Sequence, residues 1–166
     1  MRPVTDHPGT ADTLTAEPVL IVGAGPVGLV TAYGLARAGI PVTVLEAERE
    51  VNDSPRAMVY HWSLHEDLGR LDLLADVDRL GFRKNDYGYR VRATGETVTY
   101  TLDLLADETP YPYNIHLGQD ALCTLVLERL AAFPHAQVRW GARVSGVAAG
   151  TDGCGCGSRE MARPSR

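Results

Sequence analysis

The chain has 166 residues, of which 45% are hydrophobic and 22% charged, and it carries a formal net charge of −5 at pH 7. That is enough polypeptide for one domain with a real core, in an ordinary soluble composition. An acidic balance without a block of Lys or Arg disfavours nucleic acid and anionic membrane as partners.

Residues 1–17, MRPVTDHPGTADTLTAE, lack the apolar core of a signal peptide and are expected to form a disordered leader, with the cytoplasm as the compartment. The apolar stretch from Val19 to Ala36 is interrupted by turn glycines, Pro26 and Thr31. It therefore reads as strand, turn and helix rather than as a membrane span.

Within it, Val19-Leu20-Ile21-Val22 has the continuous apolar character of a fully buried parallel strand. Gly23-Ala24-Gly25-Pro26-Val27-Gly28 follows at once and opens a helix. In such a turn the first glycine permits the bend, the second leaves room for a pyrophosphate, and the third lets the helix pack on the strand. Free N–H groups and the positive helix end then face the phosphates. Gly39 is expected to close the helix in the left-handed conformation, and Pro41 prevents its continuation. Val42-Thr43-Val44-Leu45 gives a second strand. Glu46 ends it, 18 positions after Gly28, where an acid accepts hydrogen bonds from an adenosine ribose.

Residues 48–55 form a polar loop. Leu64, Leu68, Leu71 and Leu74 predict one buried face of a helix over 61–80, broken near Gly69. Tyr89, Val91, Val98 and Tyr100 alternate about Thr94-Gly95-Glu96, which predicts a β-hairpin. An amphipathic helix is expected over 119–133, with Leu122, Leu125, Val126, Leu130 and Phe133 inward and Pro134 ending it. Cys123 lies on this helix and reads as a small buried hydrophobe. A third strand is expected from Val138 to Val147, bending at Gly141. The order implies an α/β fold: a Rossmann-like domain over 18–150, with a parallel sheet and an inserted helix and β-hairpin segment. From 151 to 166 the pattern stops, and an irregular tail is expected. Cys154 and Cys156 lack a second ligand pair, so no metal site is assigned.

Taken together, PVLIVGAGPVGL with VLE, SPRAMVYHWSLHEDLGRLDLL, PYNIHLGQDALCTLVLERL and VRWGARVSGV resemble the successive N-terminal segments of the FAD-dependent aromatic hydroxylases, flavoprotein monooxygenases of the p-hydroxybenzoate hydroxylase type. The resemblance runs from about Pro18 to Gly153. It implies FAD as cofactor and NAD(P)H as a transient reductant, with one atom of O2 passing to a small aromatic substrate. The implied cofactor-binding set is Gly23, Ala24, Gly25, Pro26, Val27, Gly28, Glu46, Ala47, Arg56 and Gln119. Arg56 would reach the diphosphate or ribityl side, and Gln119 the ribityl chain. His61, His65 and His116 have no partner at catalytic spacing and receive no role, and no catalytic residue is assigned.

Family members continue into a Gly-Ala-Asp-Gly motif, a Gly-Asp-Ala-Ala-His-like motif and a separate sheet domain over the substrate, none of which occurs here. A truncated domain is therefore expected, with the change at Cys154 marking a frameshift, an early stop or a rearranged gene end. A downstream reading frame encoding the missing motifs would support this, and its absence would refute it. Truncation would leave an unpaired strand edge, weak FAD binding and no coupled hydroxylation. Two other readings stay open: a non-catalytic nucleotide-binding module or half that needs a complementing polypeptide, and a nicotinamide-only oxidoreductase.

Overall fold

The computed structural model describes residues 18–54, 56–149 and 154–160. The expected leader at 1–17 lies outside them, as do 151–153 and 161–166 of the tail.

At the centre is a parallel sheet of β1 (Val19–Val22), β2 (Val42–Leu45) and β8 (Ala136–Arg139), in the order β1–β2–β8. Helices α1 (Pro26–Arg37) and α4 (Gln119–Leu130) pack together against it. Leu29, Ala32, Tyr33 and Ala36 of α1 meet Leu122, Leu125, Val126 and Leu130 of α4 in a core shared with Val42 and Val44. The predicted stripe of α4 is thus the face that is buried, and Cys123 lies in it. Burial of each large apolar side chain contributes about 1.5–3 kcal/mol, which outweighs the weak propensity of any single residue. Gly39 follows α1 at φ +77°, as the sequence predicts.

The fully buried strand is β2 and not β1. Val19 and Leu20 remain about two-fifths exposed and Val22 is 60% exposed. The cause is position: β1 pairs with β2 on one side and has no strand on the other among the described residues. An apolar run shows a wish for burial, whereas the sheet order decides whether it is met.

Between β2 and α4 lies the inserted segment. A short antiparallel sheet joins β3 (Val59–Tyr60), β7 (Asn114–His116) and β4 (Phe82–Lys84) in that order. The predicted helix over 61–80 is two helices, α2 (His65–Arg70) and α3 (Leu74–Leu80), preceded by a 3-10 turn at Trp62–Leu64. The break falls near Gly69 as expected, at Leu71–Leu73, and Asp72 within it takes φ +55°. Its inward residues include Leu73 and Val77, both fully buried, while Leu64 points out. The expected hairpin is present as β5 (Asp86–Arg90) and β6 (Thr97–Thr101), pairing Tyr87 with Tyr100 and Tyr89 with Val98.

The single strand expected over 138–147 is two strands in different sheets. β8 ends at Arg139, Gly141 reverses the chain at φ +68°, and β9 (Ala142–Ala149) leaves the parallel sheet. Part of the tail expected to be irregular is also a strand: β10 (Cys154–Glu160) pairs antiparallel with β9, with a register shift between Gly157 and Ser158. Pairing along β9 is made by backbone groups, which need no apolar alternation.

Candidate functional site: a cleft at the carboxyl ends of the parallel strands

The first turn after β1 has the geometry its glycines require. Gly23 stands at φ +100°, a conformation unfavourable to any residue with a Cβ. A Cβ on Gly28 would lie 2.0 Å from the Gly23 carbonyl oxygen, so only glycine lets α1 start this close to the strand. Gly25 is the N-cap of α1 with extended backbone and no side-chain cap, and Pro26 occupies the first turn. A Cβ on Gly25 would meet nothing within 4 Å, so the turn opens onto free space there. Uncapped N–H groups at a helix start, in an open turn, suit an anion.

A second helix points its start at the same place. Gly118 caps α4 without a side-chain bond, and Gln119 and Asp120 of its first turn line the cleft. The cleft holds about 290 Å³ and is bordered by Ala24, Gly25, Pro26, Glu46, Arg56, Gln119 and Trp140, among others. Ligand sites commonly run to ~300–1,000 Å³, so this one suits part of a dinucleotide rather than all of it.

Glu46 links the two sides. Its Oε2 accepts from the Ala24 N–H at 2.6 Å, and its Oε1 accepts from the Glu48 N–H at 2.8 Å. The carboxylate therefore holds the glycine turn against the end of β2 and keeps lone pairs for further donors. Glu48 and Glu50 line the same cleft. Arg56 brings positive charge to it, and among the described residues its guanidinium makes no hydrogen bond or ion pair. Its exposed position fits a cation awaiting an anionic ligand.

The structure thus brings Ala24, Gly25, Pro26, Glu46, Arg56 and Gln119 together on one cleft. Gly23 and Gly28 shape its turn from behind. Val27 is 80% exposed and belongs to another surface, and Ala47 is half-buried beside Glu46 without lining the cleft. Sequence reasoning missed Val51, Cys123 and Trp140, which also line it. Cys123 is 3% exposed, and burial raises its thiol pKa, so it stays protonated and unreactive.

The histidines lie elsewhere. His65 is fully buried against Tyr111 and Tyr113, with Nε2 3.3 Å from the Tyr60 carbonyl and Nδ1 without a hydrogen-bond partner among the described residues. His116 packs on Phe82 at 4.9 Å between ring centres, and His61 is exposed. Among the described residues no cluster of His, Cys, Asp and Glu could hold a metal, and no helix is long and apolar enough to cross a membrane.

A glycine turn between a parallel strand and a helix, an acid ending the next strand and a cleft at the carboxyl ends define a dinucleotide-binding α/β domain. The profile of the FAD binding domain family matches residues 16–159. The chain belongs to that family, the FAD-binding domain of the FAD-dependent aromatic hydroxylases, and FAD is its cofactor. It is 45% identical over 126 residues to 6-hydroxy-3-succinoylpyridine 3-monooxygenase of Pseudomonas putida, covering 76% of this chain and 32% of that protein. It is 39% identical over 134 residues to para-nitrophenol 4-monooxygenase of a Pseudomonas species, covering 80% of this chain and 33% of that one. The crystal structure of p-nitrophenol 4-monooxygenase PnpA from Pseudomonas putida superposes with a TM-score of 0.77 at 33% identity, over 87% of this chain and 39% of that chain. The chain thus spans about a third of the length of the curated relatives it matches.

Proposed function

We propose that this chain is the cofactor-holding part of a cytoplasmic flavin monooxygenase whose substrate is a small aromatic or polyketide-like molecule and whose reductant is NADH or NADPH. The observation that carries this reading is the cleft that gathers the starts of α1 and α4, Glu46 and an Arg56 guanidinium without a partner among the described residues. The aromatic-substrate assignment draws on the names of the relatives, which act on a hydroxylated pyridine and a nitrophenol.

In this proposal the turn Gly23, Ala24, Gly25, Pro26, Val27 and Gly28 cradles the diphosphate: the N–H groups of Gly23 and Ala24 are held by Leu45 and Glu46, and those of Gly25, Val27 and Gly28 donate to its oxygens while the Val27 side chain faces away. Glu46, with Ala47 beside it, accepts from the ribose hydroxyls. Arg56 neutralises phosphate charge as a forked donor, and the Gln119 amide hydrogen-bonds the ribityl chain. Bound FAD supplies the redox chemistry with oxygen, and the residues here bind and orient it.

The β1 edge and the apolar surface around Val27, Val30, Leu64 and Leu68 are where further polypeptide would be needed to exclude water from the flavin ring. The chain on its own is therefore proposed to bind FAD without coupled hydroxylation. The test is to supply the chain with FAD, NADPH, oxygen and a simple phenol. NADPH consumption without hydroxylated product fits the proposal, and substrate-dependent product formation contradicts it. A second reading, a module that works only with a complementing chain, is favoured by that same exposed edge.

A further inference from the structure

The carboxyl ends of the three parallel strands form a level row. Val22 pairs with Leu45, and Leu45 with Arg139. The next residues on the three strands are therefore Gly23, Glu46 and Trp140. The ladder continues through them: the Gly23 N–H donates to the Leu45 carbonyl at 2.8 Å and the Glu46 N–H to the Arg139 carbonyl at 2.9 Å. Beyond, the Gly141 and Ala142 N–H groups each donate at 2.7 Å, to the carbonyls of Glu48 and Glu46. Trp140 is thus fixed beside the Glu46–Glu48 segment by backbone bonds on both sides. Its half-buried side chain packs on the core and lines the cleft.

Adjacent strands are about 4.8 Å apart, so the row runs in two equal steps away from the glycine turn. A dinucleotide with phosphate at Gly23 and ribose at Glu46 places its next group, the base, one step further, at the end of β8. The geometry points to Trp140 as the aromatic platform on which the adenine of FAD rests. The inference rests on the FAD reading above and adds to it the residue that orients the base. Three features support it. Among the described residues, Trp140 is the aromatic side chain lining the cleft. Val51, from the loop after β2, supplies a neighbouring apolar wall. Glu50 and Glu48, the latter 3.9 Å from the Arg143 guanidinium, leave no excess of positive charge at this end to hold another phosphate, so a neutral base is the group that fits.

The test uses the full chain and adenosine diphosphate, which carries the adenine but no light-absorbing flavin. The sequence has two tryptophans, Trp62 and Trp140, so Trp62→Phe leaves Trp140 as the sole indole reporter. ADP is expected to change Trp140 emission saturably, whereas ribose 5-phosphate and pyrophosphate at equal concentration leave it unchanged. Trp140→Ala should weaken ADP binding roughly tenfold, and Trp140→Phe by no more than about threefold because a π-face remains. Loading with FAD should abolish the ADP response.

Saturable ADP binding by calorimetry that leaves Trp140 emission unchanged would overturn the assignment while sparing the FAD reading. So would ADP binding that persists in FAD-loaded protein. Failure of a folded chain to bind either ADP or FAD would overturn both. Should Trp140→Ala fail to fold by circular dichroism, the emission of the Trp62→Phe protein decides alone.

Discussion

The Ala24 N–H donates to the Glu46 carboxylate at 2.6 Å, across 22 positions of sequence, and so joins the turn after β1 to the end of β2. The same carboxylate accepts from the Glu48 N–H, so one side chain sets both walls of the cleft. In the proposed complex its remaining lone pairs receive the ribose hydroxyls. Hydrogen bonds to a charged group contribute about 1.5–3 kcal/mol each. Glu46→Ala is expected to weaken FAD binding at least tenfold in an equilibrium titration. Glu46→Gln, which keeps one acceptor oxygen, should fall between it and the parent. Unchanged affinity in both variants would remove Glu46 from the site.

Gly28 leaves no room for a side chain. With the Gly23 carbonyl oxygen 2.0 Å from an added Cβ, Gly28→Ala must move α1 away from β1. We expect a loss of about 3 kcal/mol of stability in urea denaturation, together with loss of FAD binding. Gly25→Ala meets no atom within 4 Å and should fold normally, so any defect in it would report on ligand approach alone.

The Arg56 guanidinium is exposed and without a carboxylate partner among the described residues. Its removal should cost the fold little, within about 0.5 kcal/mol. Arg56→Ala is expected to raise the FAD dissociation constant about tenfold and to flatten its salt dependence. Arg56→Lys should recover the salt dependence but only part of the affinity. Equal binding by all three proteins would show that Arg56 does not touch the cofactor.

Asp72 carries the left-handed bend between α2 and α3, at φ +55°, and pairs with Arg37 at the end of α1. Aspartate tolerates this conformation, and a β-branched residue does not. The ion pair is largely exposed and contributes about 0–1 kcal/mol. Asp72→Gly should therefore change stability by less than about 1 kcal/mol. Asp72→Val should cost about 2 kcal/mol from the backbone alone. Denaturant midpoints of the two variants separate the contributions.

Stability should fall with acidity in two stages. Burial lowers the His65 pKa from its ordinary 6.5, against a smaller opposing effect of its bond to the Tyr60 carbonyl. Below 6.5 the unfolded chain takes up a proton that the folded chain refuses, so stability declines until the folded pKa is passed. Asp76 is held below the ordinary 3.8 by hydrogen bonds from Arg129 and then Arg79, and Asp78 by the forked pair of bonds from Arg83. Their contribution is present above 3.8 and is lost as the pH falls through the lowered values. His65→Phe should remove the first stage and keep the second, read as denaturant midpoint against pH. A first stage that persists in the variant would assign it to another group.

The turn and the cleft beside it were legible because their logic is local. Gly23 through Gly28 specify a turn by their lack of side chains, and Glu46 stands at a spacing set by one helix and one strand. The long helix α4 was legible from its apolar period, and the hairpin from alternation about Gly95. The three-stranded sheet of β3, β4 and β7 was not. Its strands have two or three residues each, too short to show a period, and partners lie up to 57 positions apart, as Val59 and His116 do. The exposure of β1 was hidden because strand order is a tertiary property. The sequence puts Trp140 inside a strand because nothing in it marks that β8 ends at Arg139. Only the register of three strands puts it level with Glu46.

The central claim, that this chain forms an FAD site between the starts of α1 and α4, is tested most directly by titrating FAD into the purified chain by calorimetry. A saturable one-to-one isotherm, competed by ADP and weakened at least tenfold by Glu46→Ala, is the predicted result. No saturable binding by a chain that circular dichroism shows to be folded, or binding indifferent to Glu46 and ADP, would contradict it.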